Sequence, residues 1–420
     1  MKTFRNYALR TLEDFFQDPG KLSEIFSSQI AQETVSQQTR NETQEMLFGT
    51  VRLHQILEEI VLERMERKPP VRIQYLLELA LYELLEMDGV PDYATVNSWV
   101  EIAKEINPKY AGLVNAIMKY FIKNRDAIKT QFENGKKKNL PAWVKDRLSF
   151  GTDKISEFSN YLSDRPVTDV VVYGELTDSA DFLKDSDINL ENHKVVTNLS
   201  ALLKTKDFRN GKVSIMDRAS QLVAKYGFDK NSTSVIDLCA APGGKLAFWV
   251  KNNPNLQFVL AIDKTSRKIE QMIQTFDRLS IRDKIQTGAG DATKVKFDKV
   301  DVVLVDAPCS GSGVLNRKPD IRTNQSSDNL KQLQKLQLDL LENASNMVKI
   351  GGKIVYSTCS FLDTENETVV ERFLRRHQEF HYDTNSDPFF DKYQTKTGFR
   401  TFPNNTNMDG ACTFILRRVE

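Results

Sequence analysis

Three features of this sequence predict a multidomain chain with an all-α N-terminal bundle, a small α+β insert and a C-terminal doubly wound α/β domain. Apolar residues recur every three or four positions through the first 130 or so residues, the spacing of amphipathic helices. From residue 211 onward, short apolar runs alternate with helical stretches, the pattern of a mostly parallel sheet. Between them in importance stands Ser234 to Lys245, SVIDLCAAPGGK: an apolar run, a tight turn of small residues, and the start of a helix. Strand, glycine turn and helix N-terminus are how a doubly wound fold begins its nucleotide cradle, and glycine lets the backbone approach a ligand closely. The turn spells neither G-x-x-x-x-G-K-[ST] nor G-x-G-x-x-G, so by itself it is weak evidence.

The chain is long enough for two or three domains: it has 420 residues. Its 58 basic and 57 acidic residues neither announce nor exclude a nucleic-acid partner, because a basic face can sit on a neutral protein. No apolar run is long enough to span a membrane. The N-terminus, Met1-Lys2-Thr3-Phe4-Arg5, starts basic without the apolar core of a signal peptide, so a cytoplasmic protein with no membrane partner is expected. Cys239, Cys309, Cys359 and Cys412 are far apart, with no C-x-x-C pair and no histidine at ligand spacing. Neither a disulfide framework nor a metal site is expected.

Five helical runs are expected in the bundle, assigned to residues 1–133: Tyr7 to Phe16, Leu47 to Val61, Ile73 to Leu85, Val96 to Ile106 and Val114 to Ile122. Pro69-Pro70, Gly89-Val90-Pro91 and Asn107-Pro108 separate them. His54 stands alone there and reads as structural. Asn134 to Pro141 reads as a linker opening the insert, residues 134–210, in which Val170 to Tyr173 and Val195 to Thr197 look like strands. The α/β domain takes residues 211–420. Its expected strands are Gly211 to Met216, Val235 to Leu238, Phe258 to Ile262, Ile285 to Gly288, Val300 to Val305, Lys353 to Ser357 and Ala411 to Leu416. Helices are expected near Arg218 to Tyr226, Ser266 to Leu279, Asn329 to Val348 and Glu365 to Arg376.

Acidic residues follow successive strands: Asp263, Asp291 and Asp306. In an open α/β sheet, ligands bind beyond the carboxyl ends of the strands. Each aspartate alone reads equally as a helix cap. Together, beside the glycine turn, they favour an adenosyl ligand. Two cysteines also lie just past strands, in Asp306-Ala307-Pro308-Cys309-Ser310-Gly311-Ser312-Gly313 and in Tyr356-Ser357-Thr358-Cys359-Ser360. Two thiols at one ligand face without metal partners point to nucleophilic chemistry. Carbon 5 of cytosine needs such chemistry. It is a poor nucleophile until a thiolate adds to carbon 6. Lys245 on the facing turn would supply a positive neighbour, and Asp306 could hydrogen-bond the ring near N3. Geometry alone leaves open which cysteine attacks.

DLCAAPGGK, DAPCSGSG and YSTCS, in that order, resemble the RsmB/Nop family of RNA 5-methylcytosine methyltransferases. The likeness extends to Gly290-Asp291-Ala292, Arg317 to Ile321, Glu365-Asn366-Glu367 and the Met216 to Gln221 entry stretch. Ile73 to Leu85, Val96 to Lys104 and Leu113 to Ala116 resemble a NusB-type RNA-binding bundle. The resemblance implies a Rossmann-like class I methyltransferase domain that uses S-adenosylmethionine. It implies Cys359 as the nucleophile, Cys309 as the group assisting product release, and Asp306 and Lys245 as contacts to the target base. Cys239, Ala240, Ala241, Pro242, Gly243, Gly244 and Lys245, with Asp263, Asp291 and Asp306, would bind the cofactor.

The implied substrate is RNA, with 16S ribosomal RNA favoured by the NusB-like bundle, and the chain is expected to act as a monomer. The same chemistry on tRNA or 23S RNA, or a weakly active RNA-binding assembly factor, are the alternatives. RNA contact is expected around the bundle and on the loop carrying Arg317, Lys318 and Arg322. Arg165 to Tyr173, Met216 and Asp409 to Phe414 depart from the family pattern. Cys412, in the last of these, reads as a buried core residue.

Overall fold

The computed structural model describes residues 3–31, 33, 35–87, 89–148, 152–402 and 408–420, with backbone alone at 152–154. Met1 and Lys2, part of the basic start considered above, lie outside the described residues. The chain divides into two compact units. One comprises Met1–Arg165 with Leu315–Gln325, the other Pro166–Val314 with Ser326–Glu420. No helix among the described residues is long and apolar enough to cross a membrane.

The first unit is helical: α1 (Phe4–Gln17), α2 (Leu22–Ala31), α3 (Gln37–Leu62), α4 (Val71–Glu86), α5 (Asp92–Ile106), α6 (Ala111–Lys123), α7 (Arg125–Lys136), α8 (Ala142–Lys145) and α9 (Thr152–Ser163). The five expected runs are α1, α3, α4, α5 and α6. Their apolar stripes close one core that includes Leu12, Phe15, Leu47, Leu57, Leu77, Trp99 and Phe121. A polar cluster threads this core. Arg5 pairs with Glu83, and the Trp99 indole N–H donates to the same carboxylate at 2.7 Å. That arrangement satisfies a charge that would otherwise be costly to bury. His54 is also tied in, 2.6 Å from the buried Glu78.

Helices α2 and α7 were not expected. The α2 sequence, LSEIFSSQIA, has too few apolar residues for a clear period. Helix α7 runs into the lysine-rich stretch read as a linker, because Lys136 is drawn inward by Glu86 (3.3 Å), Glu133 (3.1 Å) and Asp164 (3.5 Å). The segment Leu315–Gln325, 150 residues further along the chain from Arg165, is held in this unit by two arginines. Arg52 Nε donates to the Asn316 carbonyl at 2.9 Å. Arg322 donates to the carbonyls of Asn139 and Leu162 at 2.8 and 2.6 Å. Both terminal nitrogens of Arg322 are thus occupied by backbone, so this side chain, expected to meet RNA, instead fixes a loop. Burial, with Arg52 nearby, lowers its pKa to about 9.

The second unit begins with a four-stranded antiparallel sheet in the order β2-β3-β1-β4, formed by β1 (Asp169–Val172), β2 (Leu183–Lys184), β3 (His193–Val196) and β4 (Val213–Ile215). Short helices α10 (Leu199–Leu202) and α11 (Lys206–Arg209) lie between β3 and β4. There follow α12 (Arg218–Gly227), β5 (Ser234–Asp237), α13 (Gly244–Asn252), β6 (Phe258–Asp263), α14 (Ser266–Arg278), β7 (Gln286–Ala289) and β8 (Val300–Asp306). Beyond Leu315–Gln325, which carries α15 (Ile321–Asn324), come α16 (Ser327–Ser345), β9 (Val348–Thr358), α17 (Glu367–Leu374), β10 (Phe380–Asp383), β11 (Phe399–Thr401) and β12 (Ala411–Arg418).

The main sheet runs β10-β12-β9-β8-β5-β6-β7, with β11 also paired to β12. Strands β9, β8, β5, β6 and β7 are parallel, and β12 lies antiparallel between β9 and β10. Alternation along the strands divides the core into two layers. Val302 and Leu304 pack with Leu246, Trp249, Met272 and Phe276 on one face. Val303 and Val305 pack with Leu341, Val370 and Phe373 on the other. The strand expected from Lys353 begins at Val348, so that Gly351-Gly352 lies inside β9. Gly351 has φ +78° and the pairing with β8 shifts register there, so the two glycines form a bulge that the strand passes through. Cys412 is buried in β12.

Candidate active site

The parallel topology brings every expected site residue to one edge, the carboxyl ends of β7, β6, β5, β8 and β9. Register makes this explicit: Asp263 pairs with Ala289, Asp237 with Leu304, and Asp306 with Ser357.

The glycine turn leaves β5 and enters α13 at Gly244. Gly243 has φ +95°, where L side chains are strained, and a Cβ there would come within 3 Å of Phe276 and Met272. The turn is pinned to β6: the Ala240 N–H donates to the Ile262 carbonyl at 2.9 Å, and the Ala241 N–H to Asp263 Oδ2 at 3.1 Å. Asp263 also accepts from the Lys264 N–H at 2.7 Å and pairs with Lys268 at 3.0 Å. Its carboxylate therefore shapes the turn. Asp291 is exposed and accepts from Thr293 N–H and Oγ1 at 3.0 and 2.7 Å, a local cap whose bonds hold its pKa below the ordinary carboxylate value. Cys239 is half-buried, and desolvation, reinforced by Asp237, pushes its thiol well above its ordinary value.

Lys245, one residue into α13, reaches Asp306 Oδ2 at 2.6 Å, and Ser357 Oγ donates to Asp306 Oδ1 at 2.8 Å. Burial would lower the ammonium pKa, but Asp306 outweighs it and the net shift is upward, with Cys359 contributing in the same sense. The lysine stays charged. The two cysteine sulfurs are 3.2 Å apart. The hydrogen bond with Cys359, then burial, pushes the Cys309 thiol well above its ordinary value. Either sulfur can be the donor in the bond between them. Among the described residues no group of acids, histidines and cysteines has metal-holding geometry.

Two carboxylates that shape the site drew no role from the sequence. Glu365, fully buried, binds both cysteine turns. Asp237, the last residue of β5, sits beneath the glycine turn and accepts from the Cys239 N–H at 3.2 Å. Burial, with Asp306 next in effect, raises its pKa to about 7. The available signal for Asp237 was an acid inside an otherwise apolar strand run. Its shift has a measurable consequence. Between its unfolded value near 4 and its folded value near 7, the native state holds a proton that the unfolded chain has released. Stability should therefore fall with rising pH across that window, by up to about 1.4 kcal/mol per unit from this group. In urea unfolding from pH 4 to 8, Asp237→Asn should gain stability relative to wild type up to pH 7 and hold a constant difference above it. An identical pH slope in both proteins would show that Asp237 is not the titrating group.

The family model described as 16S rRNA methyltransferase RsmB/F matches residues 228–416, and the NusB family model matches residues 2–123. Probable ribosomal RNA small subunit methyltransferase B of Bacillus subtilis is 31% identical over 403 residues, covering 90% of each chain. The chain belongs to the RsmB/F family. Ribosomal RNA small subunit methyltransferase B of Citrobacter koseri, another relative, is 28% identical over 392 residues, covering 89% of this chain and 91% of its own. Among solved structures, PH0851 superposes with a TM-score of 0.74 at 20% identity, covering 99% of this chain and 98% of that one. NSun6 from Pyrococcus horikoshii, solved with SFG, has a TM-score of 0.55 at 17% identity, covering 66% of this chain and 97% of that one. At those identities the two structures speak for the fold. The RsmB/F match includes every motif at the strand ends, from the glycine turn to Cys359.

Proposed function

We propose that this chain methylates carbon 5 of a cytosine in ribosomal RNA of the small subunit, using S-adenosylmethionine and a covalent bond from Cys359 to carbon 6. The carrying observation is the pair of sulfurs 3.2 Å apart, at the ends of neighbouring parallel strands and beside a charged lysine–aspartate pair. Family membership supports the RNA substrate, and the names of the relatives support the small subunit.

The strand-end chemistry fits the cofactor. Asp237, Asp263 and Asp306 are close enough that both of the others push the Asp237 pKa upward. A cationic ligand would favour the ionised form of Asp237 there, and the turn above it presents small residues and a glycine with no room for a Cβ. Asp263, Asp291 and the backbone from Cys239 to Gly244 would hold the cofactor. Bound there, S-adenosylmethionine supplies an electrophilic methyl on a sulfonium.

The chain's own residues do the rest. A free thiol with a pKa of about 8.5 is only a few per cent thiolate at neutral pH. A proton donated from Cys309 and the charge on Lys245 would both favour the Cys359 thiolate. Its thiolate adds to carbon 6, and the electron pair moves into the ring toward N3 and O2. The proton that Lys245 shares with Asp306 would meet the negative charge developing at N3. Carbon 5 then takes the methyl. Cys309 assists release: its thiol, having given its proton to solvent once the Cys359 sulfur is bonded to carbon 6, takes the proton from carbon 5, the double bond re-forms, and the Cys359 sulfur leaves with its electron pair. The helical unit, matched by the NusB model, would hold the RNA.

Methyl transfer from labelled S-adenosylmethionine to total RNA from cells lacking this protein tests the reading. We expect a single labelled position, a 5-methylcytosine in 16S RNA. Label at carbon 5 in tRNA or 23S RNA would keep the mechanism and move the substrate. Absence of label in free RNA and in small-subunit particles, with cofactor bound, would overturn it in favour of an assembly factor.

A further inference from the structure

We propose that Glu365 is the positioning residue that sets the two cysteine turns against each other. Its carboxylate is fully buried and accepts four hydrogen bonds. Oε1 takes the Ser310 N–H at 2.8 Å and Gln337 Nε2 at 3.1 Å. Oε2 takes the Ser310 and Ser360 hydroxyls at 2.5 and 2.6 Å. Ser310 directly follows Cys309, and Ser360 directly follows Cys359. One carboxylate therefore grips both turns at the residue next to each sulfur.

The same cluster holds the other side of each cysteine. Gln337, from α16, also donates to the Pro308 carbonyl at 2.9 Å. Asn366, beside Glu365, accepts from Thr358 Oγ1 at 2.7 Å and donates to the Ser360 carbonyl at 2.9 Å. Glu365 is itself fixed by Tyr356, whose hydroxyl donates to its carbonyl at 2.7 Å. Each cysteine is thus bracketed fore and aft by side chains that meet at residues 365 and 366. A carboxylate is an expensive choice for a site that only needs filling, because its burial has to be offset by every one of those bonds. What it provides is an acceptor for two hydroxyls and an amide N–H at once, which a glutamine can match only in part. Glu365 touches no reacting atom in this arrangement. It acts through the separation of the sulfurs.

The functional consequence rests on the proposed reading, in which Cys359 bonds carbon 6 and Cys309 assists its release. Loosening Cys309 from Cys359 should slow release more than attack. Glu365→Gln should lower kcat at least tenfold while the KM for RNA stays within about twofold. It should accumulate a covalent protein–RNA adduct that survives denaturation. Ser360→Ala, a smaller change, should show the same pattern more weakly, and combining it with Glu365→Gln should add little. Normal turnover by Glu365→Gln, or lost turnover without adduct in both variants, would overturn the proposal.

A second measurement needs no RNA. Diamide takes two electrons and two protons from a pair of neighbouring thiols, and mass spectrometry then reads the Cys309–Cys359 disulfide. Closure should be at least tenfold slower in Glu365→Gln than in wild type, and an equal rate would overturn the positioning role. If wild type methylates no RNA, the methyltransferase reading fails, yet the diamide ratio still decides whether Glu365 spaces the sulfurs.

Discussion

Alanine at Cys359 is expected to reduce methyl transfer by about four orders of magnitude or more and to eliminate any covalent adduct with RNA. The size of the loss follows from the substrate. Carbon 5 of cytosine carries no usable electron pair until carbon 6 has been attacked, so no slower version of the same route exists without the nucleophile. Nor can Cys309 stand in. Its thiol is pushed well above its ordinary value, first by the bond to Cys359 and then by burial. Removing Cys359 takes away the first of these causes and leaves the second. Lys245, whose charge Cys359 helps to hold, remains paired to Asp306 at 2.6 Å. The measurement is single-turnover transfer of labelled methyl with a denaturing gel for the adduct. Activity within tenfold of wild type would show that Cys359 is not the attacking sulfur.

Much of this architecture was legible because it depends on local patterns. Helices α1, α3, α4, α5 and α6 announce themselves by apolar period, and β5, β6 and β8 by short apolar runs that end on an acid or a turn. The strand-end positions of Cys309 and Cys359 could be read for the same reason. Other features depend on partners distant in sequence. Lys136 looks like a solvated linker residue until Glu86, fifty positions earlier, folds against it. Arg322 looks like a phosphate contact until the carbonyls of Asn139 and Leu162 are seen to occupy it. Strands β2, β10 and β11 are two to four residues long and are defined by what pairs with them. Glu365 was visible as part of a motif, but its role was hidden, since its four donors come from Ser310, Gln337 and Ser360.

Alanine at Cys309 should do the opposite of alanine at Cys359: the adduct should form and persist. The two sulfurs occupy similar turns, but their surroundings differ. Cys359 directly follows β9, and its charge would help hold Lys245 protonated. Cys309 follows Pro308, and its bond to Cys359, with burial next, pushes its thiol well above the ordinary value. With Cys309 gone, Cys359 loses one hydrogen-bond donor, and attack should slow by about tenfold, the scale of one such bond. Release should suffer far more, because loss of the carbon 5 proton and expulsion of the Cys359 sulfur both proceed beside the missing thiol. Steady-state turnover should fall by about a hundredfold or more, the usual range for removing an acid–base group. Most of the enzyme should then be trapped on RNA as a species stable to denaturant. The double variant, lacking both sulfurs, should form no adduct. That ordering decides between the two assignments: if Cys309→Ala abolishes the adduct and Cys359→Ala accumulates it, the roles are exchanged, and the attacking sulfur is the one that follows the proline.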